Sequence, residues 1–464
     1  MLGGLLYNVV PNRGNCLVGL GHHRKPLLVA LCLLIADLTP HATLAQATEP
    51  LLPAPPPPSG PQAPTAPGQP VLAGQTVTAR PRPEFDPIGL HFGDYFWFPE
   101  AELDEAFNSN IFATPSPTTS DFITVLQPRF DLLSSFPQNA LNVHAGAALQ
   151  YYARNPTQNT ENGFGTVDGR LDVTAGSWFY GRAGLAHLNI PRTSPNSPGN
   201  AAEPVTYNSY TASAGYTATG LRLGYQAELA VLGQRYNAVP LIGGGISPQS
   251  SNDVNIYQAV FRGSYEFAPD YQAYLRYAEN LRIFPVPLPG GPSFDSLGYR
   301  VDVGLQILPF GVTYGELYAG YLAQDFHSSS LTPISGLDAG GRLVWNVTRL
   351  TTATFNALRT VTTNNPTIGG TGAGYLTSTV SANVDHELLR NLLLNGNLSY
   401  ENDSYSGISR TDNVFYGGAG VKYLLNRNLY LGGSYNYQQR ASSGTARGFP
   451  YTQNILMLRL STQF

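Results

Sequence analysis

Charged side chains recur at every second position within otherwise apolar segments of this sequence. Between Val167 and Val173, for example, apolar residues alternate with Asp168, Arg170 and Asp172. This spacing places the charged side chains on one face of an extended strand and the apolar side chains on the other. Arginines and carboxylates in similar numbers could pair across neighbouring strands or bind a passing solute. They predict modest charge selectivity, unlike that of a pore lined by one sign of charge.

The strand parity defines a set of candidate residues that line an aqueous interior. They are Arg170, Arg222, Glu228, Arg262, Arg276, Arg300, Asp302, Asp338 and Arg342. Pairing across strands that stiffens the wall is favoured for these residues over a dedicated solute-binding site.

The residues that could perform catalysis or bind a metal do not form a recognisable pattern. His144, His187 and His386 lie on widely separated segments without a matching serine motif, and His187 has the apolar parity. Cys16 and Cys32 both precede the expected cleavage site of a signal peptide, so the mature chain has no thiol. We therefore expect no enzyme, no catalytic residues, no metal site and no cofactor.

The last residues of the chain show the strand pattern most clearly. Leu456, Leu458, Leu460 and Phe464 share one face, and Arg459 lies on the other. A strand with lipid on one side, water on the other and a terminal aromatic residue is typical of an outer-membrane barrel. We predict that the four apolar residues are the signal recognised by the barrel assembly machinery. Leu458→Arg should impair assembly, whereas Arg459→Leu should be tolerated.

The same alternation recurs upstream in segments of about ten residues, the length of a membrane-crossing strand. It predicts an all-β fold, a transmembrane up-and-down antiparallel barrel of about eighteen strands whose C-terminal strand ends in Phe; sixteen strands is the alternative count. Short connections such as Asn426-Arg427 follow even-numbered strands, and long ones such as Gly233–Asp253 and Glu401–Thr411 follow odd-numbered strands, without a break.

The longest predicted loop, Gly233–Asp253, is apolar and rich in glycine. Two interpretations remain open: it folds into the lumen as a constriction or meets a partner, or it is a mobile external loop.

The composition agrees with lipid exposure. Charged residues make up 12% of the chain and the net charge is -4, while Gly (49) and Tyr (28) are abundant. That charged fraction is about half the usual share for a soluble domain. A soluble β-sandwich is the less favoured alternative.

The N-terminal region indicates export. His22 to Lys25 precede an apolar run from Pro26 to Ala36, and Ala45-Gln46-Ala47 offers a cleavage site. We predict a signal peptide over residues 1–47, a Pro-rich periplasmic spacer and lead-in segment over 48–94, and the barrel over 95–464. The mature termini would both lie in the periplasm.

Three motifs resemble the putative β-barrel porin 2 family of Gram-negative outer membranes. They are the segment from Arg80 to Leu90, Asn110–Thr114 followed by Ser120-Asp121-Phe122, and Tyr451-x-x-Asn454 leading to Phe464. Members of that family are often linked to exopolysaccharide secretion, so the resemblance implies passage of polysaccharide across the outer membrane. It implies no catalytic residues.

Two functions follow as hypotheses. The first is a passive channel or conduit, with outer-membrane lipid, the assembly machinery and polysaccharide or periplasmic export components as partners, and no nucleic acid. The second is a non-conducting structural or assembly barrel that anchors periplasmic polysaccharide or cell-wall machinery through its Pro-rich arm.

Overall fold

A computed structural model describes residues 75–308, 311–366 and 372–464 of the chain. The predicted signal peptide and most of the predicted spacer therefore lie outside the described residues.

Alternating sequence produces long antiparallel strands throughout the described chain. They are β1 (Leu90–Phe92), β2 (Tyr95–Asn108), β3 (Asp121–Ser134), β4 (Ala140–Tyr152), β5 (Thr160–Thr174), β6 (Ser177–Asn189), β7 (Thr206–Thr219), β8 (Leu223–Tyr236), β9 (Val239–Pro240), β10 (Ile246–Ser247), β11 (Val254–Ala268), β12 (Tyr271–Ile283), β13 (Ser296–Ile307), β14 (Thr313–Phe326), β15 (Ile334–Thr348), β16 (Thr351–Thr363), β17 (Gly374–Leu389), β18 (Leu392–Ser406), β19 (Thr411–Leu424), β20 (Leu429–Ser443) and β21 (Tyr451–Gln463). Two single-turn 3₁₀ helices, Pro156–Gln158 and Ser250–Asn252, lie in loops.

Eighteen of these strands form one closed barrel. Each of β2–β8 and β11–β21 pairs antiparallel with its neighbour in the chain, and β8 pairs with β11 across the loop that contains β9 and β10. The barrel closes where β21 pairs with β2, from Glu100 opposite Gln463 to Asn108 opposite Ile455. The predicted fold and the count of eighteen strands are confirmed.

The two faces of each strand differ as the alternation predicts. Leu456, Leu458 and Leu460 of β21 and Phe464, which follows it, are exposed on the outer face. Arg459 lies on the opposite face and is bonded to Asp104 of β2. Lipid contact on the outer face accounts for the small fraction of charged residues, and ion pairing on the inner face accounts for the small net charge.

The strands are longer than the membrane requires. The eighteen barrel strands run from 12 residues in β13 to 16 in β17, whereas about 9–11 residues cross a bilayer. The predicted long loop Glu401–Thr411 is wrong for this reason, because β18 and β19 continue as a hairpin joined by residues 407–410. Neither face of this hairpin alternates between apolar and polar residues, so its strands could not be recognised from the sequence.

The connections give the barrel two distinct ends. Turns such as Pro269-Asp270 and Arg390-Asn391 lie at one end, here called the short-turn end. The loops 190–205 and 237–253 lie at the other, the long-loop end. β9 and β10 form a small hairpin within the second loop.

The wall has one interruption, between β15 and β16. Their ladder stops at Gly341 opposite Ala357, although both strands continue toward the long-loop end. Beyond this point, inward-facing Arg282 of β12 and Arg300 of β13 donate to the carbonyl oxygens of Val361 and Arg359, at 3.1 and 2.8 Å. The end of β16, Leu358–Thr363, is therefore turned into the barrel, and we call it the infolded edge.

The infolded edge is held by side chains instead of a strand partner. Arg359 donates in turn to the carbonyl oxygen of Leu337 at 2.9 Å. Leu322 and Ile334 pack against Val361 and Leu376 in a buried apolar cluster. Guanidinium groups thus satisfy backbone acceptors that the interrupted ladder leaves open.

Among the described residues, the structure contains no helix long and apolar enough to cross a membrane.

We predict that Leu458→Arg lowers the free energy of unfolding in lipid vesicles by about 2–4 kcal/mol, because Leu458 lies near the middle of β21 on its outer face. Urea titrations followed by intrinsic fluorescence would measure the change. Leu458→Met is the control and should lie within about 1.5 kcal/mol of the unmodified protein. Equal stability of the Arg and Met variants would show that this face does not meet lipid.

Candidate functional site in the barrel lumen

Five neighbouring strands carry a row of charges across the inner wall. Arg262 of β11 lies opposite Arg276 of β12, which lies opposite Asp302 of β13. Asp302 lies opposite Gly320 of β14, and Gly320 opposite Asp338 of β15. Since directly opposed residues of an antiparallel sheet share a face, all four charges project into the lumen as one continuous row.

Ion pairs neutralise this row. Arg276 donates from Nε and Nη2 to Oδ2 of Asp302, at 2.9 and 2.7 Å. Arg300 reaches Asp338 with 2.6 Å between Nε and Oδ2. Both aspartates are fully buried.

Arg262, whose neighbour in the row is another arginine, is neutralised from outside the row. Its Nη1 lies 3.1 Å from Oε2 of Glu316, and its Nη2 donates to Gln306 at 2.6 Å. Three arginines of this wall are therefore paired with three carboxylates, and the paired side chains carry no net charge.

Tyrosine and glycine alternate in the row beside the charges. Tyr274 lies opposite Gly304, which lies opposite Tyr318, which lies opposite Gly340. A Cβ atom at Gly304 would come within 2.2 Å of the Tyr274 ring. Glycine there leaves room for the ring to lie along the wall, where Arg262 covers it with 3.7 Å between Cζ and the ring centroid.

Three more candidates also face inward, outside these ion pairs. Glu228 accepts a hydrogen bond from the Tyr180 hydroxyl at 3.1 Å. Arg170 lies 2.7 Å from Asp172 and stacks over Trp178 near the short-turn end. Arg342 is exposed to the lumen opposite Glu316, and none of the ion pairs among the described residues includes it.

The placement of Arg222 on a strand is wrong. Arg222 lies in the turn before β8, where its carbonyl oxygen accepts a hydrogen bond from the Glu266 amide at 2.8 Å. The adjacent Leu221 resembles the start of an alternating segment, but it is fully exposed in the same turn.

Arg459 is more than a lumen cation. It donates to the two carboxylate oxygens of Asp104 at 2.7 and 2.8 Å and lies 3.0 Å from Glu102. Both carboxylates are buried. Because β2 and β21 close the barrel, this cluster fastens the closing pair, and the expected tolerance of Arg459→Leu no longer holds.

The histidine at position 144 belongs to another network on the opposite wall. His144 of β4 bridges Asp131 of β3 and Asp168 of β5, with 2.5 Å from Nδ1 and 3.1 Å from Nε2. Arg129 and Arg182 pair with the same two aspartates. The network contains no serine that could act as a nucleophile. It joins neighbouring strands and therefore stabilises the wall.

The short-turn end contains a part of the chain that sequence analysis did not place there. Residues 75–89, here called the N-terminal segment, run along the inner wall from β16 to β21. Val77 is fully buried and its amide donates to Thr352 of β16 at 2.9 Å. Arg427 donates to the carbonyl oxygen of Pro83, and Gln463 to that of Phe85.

Glu387 of β17 is the centre of these contacts. Its carboxylate lies 2.8 Å from Arg82 and 3.6 Å from Arg80. Burial lowers the pKa of Arg80 from its ordinary value, and Glu387 offsets part of that shift. The Arg-Pro-Arg-Pro motif is therefore held inside the barrel by one buried carboxylate, a contact between residues about 300 positions apart that no local pattern reveals.

A loop crosses the lumen at the long-loop end. The cross-lumen loop, residues 190–205, joins β6 to β7 and is anchored by Ile190, Ala201 and Val205 in a buried cluster with Val239. On the far side of the barrel, the Asn365 amide donates to Asn196 Oδ1 at 3.0 Å. Arg440 of β20 donates to the carbonyl oxygen of Thr193 at 3.1 Å.

This loop, and not the one singled out in the sequence, narrows the lumen. The predicted apolar loop Gly233–Asp253 begins within β8, and its tip at Ile242 and Ile246 is exposed. Its base supports the cross-lumen loop, since Ala202 donates to the carbonyl oxygen of Pro240 at 2.8 Å. Prolines 191, 195, 198 and 204 stiffen the crossing segment. They are the sequence feature from which a fixed loop at this position could have been predicted.

The described residues contain no group of three or more His, Cys, Asp or Glu side chains arranged to hold a metal ion.

A closed barrel of this width, apolar outside and charged inside, defines a porin-like protein of the outer-membrane type. The chain belongs to the putative β-barrel porin 2 family, whose sequence profile matches residues 82–464.

Comparison with solved structures finds general likeness to other outer-membrane barrels. OccK2 (OpdF) of Pseudomonas aeruginosa in complex with glucuronate is 10% identical, with a TM-score of 0.42 over 80% of this chain and 98% of that one. OpdO of the same organism is 13% identical, with a TM-score of 0.42 over 80% and 97%. The FrpB iron transporter from Neisseria meningitidis (F5-1 variant) is 9% identical, with a TM-score of 0.43 over 81% and 83%. No curated protein matches the chain significantly.

We predict that Arg459→Leu destabilises the barrel by about 3–5 kcal/mol, because it leaves Asp104 and Glu102 buried without a cation. Urea unfolding of the reconstituted protein would measure the loss. Arg342→Leu removes an inward arginine without a carboxylate partner and should change stability by no more than about 0.5 kcal/mol. A similar effect of both substitutions would contradict the role given to the Arg459 cluster.

We predict that Glu387→Gln loosens the N-terminal segment while the barrel stays folded. Replacing the buried carboxylate by a neutral amide removes the negative charge that Arg80 and Arg82 share, which should raise the population of the undocked segment about tenfold or more. Cleavage after Glu84 by a glutamate-specific protease, followed by mass spectrometry, reports undocking. Glu266→Gln, an inward residue also near the short-turn end, is the control. Equal cleavage rates in both variants would show that Glu387 does not hold the segment.

Proposed function

We propose that the protein is an outer-membrane channel that exports polysaccharide, with its short-turn end in the periplasm. Export through a cleaved signal peptide and recognition of Leu456, Leu458, Leu460 and Phe464 by the assembly machinery are parts of the same proposal. Outer-membrane lipid surrounds the barrel, and periplasmic export components are its expected partners.

The observation that carries the proposal is an inner wall on which arginines pair with carboxylates of neighbouring strands. Arg262, Arg276 and Arg300 are all committed to carboxylates of the same wall. A wall of paired charges, tyrosines and amides offers hydrogen bonds without a strong field of one sign, which suits the passage of sugar chains better than the selection of small ions by charge.

Two segments in the lumen decide how such a channel would be regulated. The N-terminal segment lies at one end and the cross-lumen loop at the other. We infer that the described conformation is a narrow state, and that release of the N-terminal segment widens the periplasmic end.

The same two segments favour the second candidate, a non-conducting anchor. In that case the N-terminal segment is a permanent attachment that ties the preceding residues to the barrel, and the wall serves as a rigid base. Electrical recording separates the two candidates, because only a channel gives discrete open steps.

We predict that the full-length protein in planar bilayers gives small or infrequent steps, and that Glu387→Gln gives larger or more frequent ones, because it frees the N-terminal segment from the wall. Glu266→Gln should behave like the unmodified protein. Swelling of liposomes with maltooligosaccharides of graded length would then give the size limit. Complete absence of steps in all three proteins would exclude the channel and leave the anchor.

A further inference from the structure

A cavity lies between the cross-lumen loop and the wall formed by β2, β4, β5 and β21. Polar side chains dominate its lining, including Asn108, Gln150, Gln158, Asn189 and Gln453. Arg192 of the loop is its one charged lining residue, and the lining contains no Asp or Glu. We call this space the Arg192 cavity.

Three residues that line the Arg192 cavity each have a buried polar atom without a hydrogen-bond partner among the described residues. These atoms are Nη2 of Arg192, Oγ1 of Thr160 and Oε1 of Gln453. Thr160 is 6% exposed and Gln453 is 2% exposed. Buried polar atoms of native proteins are usually paired, so a donor, a hydroxyl and an acceptor left open around one space indicate a ligand with complementary groups.

The charge of Arg192 is not compensated by the protein. Its Nε donates to Oε1 of Gln158 at 2.9 Å, and its guanidinium lies 5.9 Å from the Phe112 ring. Burial lowers the pKa of Arg192 from its ordinary value. None of the ion pairs among the described residues includes Arg192, whereas Arg262, Arg276, Arg300 and Arg459 all have carboxylates. A partly buried cation without an anion is unfavourable, and an anionic ligand would remove that cost.

The other lining residues indicate which kind of anion the cavity would bind. Amide and hydroxyl side chains both donate and accept hydrogen bonds, as the hydroxyl groups of a sugar do. The enclosed part of the cavity is about 30 Å³, room for about two water molecules. It can therefore take the carboxylate edge of a sugar while the rest of the ring lies in the open lumen. A sugar that carries a carboxylate would place its charge on Arg192 and its hydroxyls on Thr160 and Gln453.

We propose that the Arg192 cavity is a binding subsite for the uronic acid residues of an acidic polysaccharide. The assignment rests on the proposed function and names the substrate class of that channel. A neighbouring cavity on the other side of the cross-lumen loop has the same character. Arg282 is its one charged lining residue, accompanied by Gln234, Asn364 and Asn365. The two cavities thus each present an arginine without an acid in the lining, in contrast to the ion pairs of the β11–β15 wall.

Calorimetric titration of the full-length protein in detergent tests the subsite, with trigalacturonate as probe and maltotriose as the uncharged match. Trigalacturonate should bind and maltotriose should not. Arg192→Gln should weaken binding about tenfold or more, and Arg192→Lys less. Thr160→Val removes an unpartnered hydroxyl without a change in shape and should weaken binding about threefold. Arg349→Gln, which removes an exposed arginine of the turn between β15 and β16 at the other end of the barrel, should bind like the unmodified protein.

Each alternative outcome has a definite meaning. No binding of trigalacturonate, equal binding of maltotriose, or unchanged binding by both Arg192→Gln and Thr160→Val would overturn the subsite. Binding of inorganic phosphate without the trisaccharide would overturn the assignment to a sugar. The titration needs no open pore: channel steps without binding refute the subsite alone, and binding without steps refutes the channel alone. Circular dichroism confirms that each variant is folded, and Thr160→Val keeps the test decisive if Arg192→Gln does not fold.

Discussion

Hydrogen bonding of the backbone in a medium without water is the constraint on which this structure depends. Every strand must have two neighbours, so the chain has to return to its first strand, and β21 does so by pairing with β2. The same constraint applies where the ladder between β15 and β16 is interrupted. Where the ladder ends, Arg282, Arg300 and Arg359 donate to the freed carbonyl oxygens, and the infolded edge becomes part of the lumen wall.

Closure and charge are linked in the interior. Arginines on neighbouring strands are committed to carboxylates of the wall, and the Arg459 cluster joins the first and last strands of the barrel. Such pairs stiffen the wall but leave few free charges for a solute. The cavities at the long-loop end differ, because their arginines lack acids in the lining. The ion-paired arginines of the wall and the unpaired Arg192 of its cavity are therefore in two different electrostatic environments within one lumen.

Alternation in the sequence was sufficient to predict the barrel, its strand count and the orientation of residues such as Leu458 and Arg459, because lipid and water impose a period of two. It failed where that pressure ends. The β18–β19 hairpin, the turn at Arg222 and the contact between Arg82 and Glu387 all lie where both sides are polar or where partners are hundreds of residues apart. The cross-lumen loop was located as a loop, but its path depends on Asn365 and Arg440 across the barrel.

The position of the N-terminal segment has a consequence for the order of events during biogenesis. Val77 contacts Thr352, and Phe85 contacts Gln463. The N-terminal segment therefore docks on strands from the C-terminal part of the chain. The segment cannot dock until the C-terminal third of the sheet has formed, and contacts between residues so far apart in the sequence form slowly. Its seating therefore marks completed maturation, and an immature intermediate would carry this stretch of chain outside the wall.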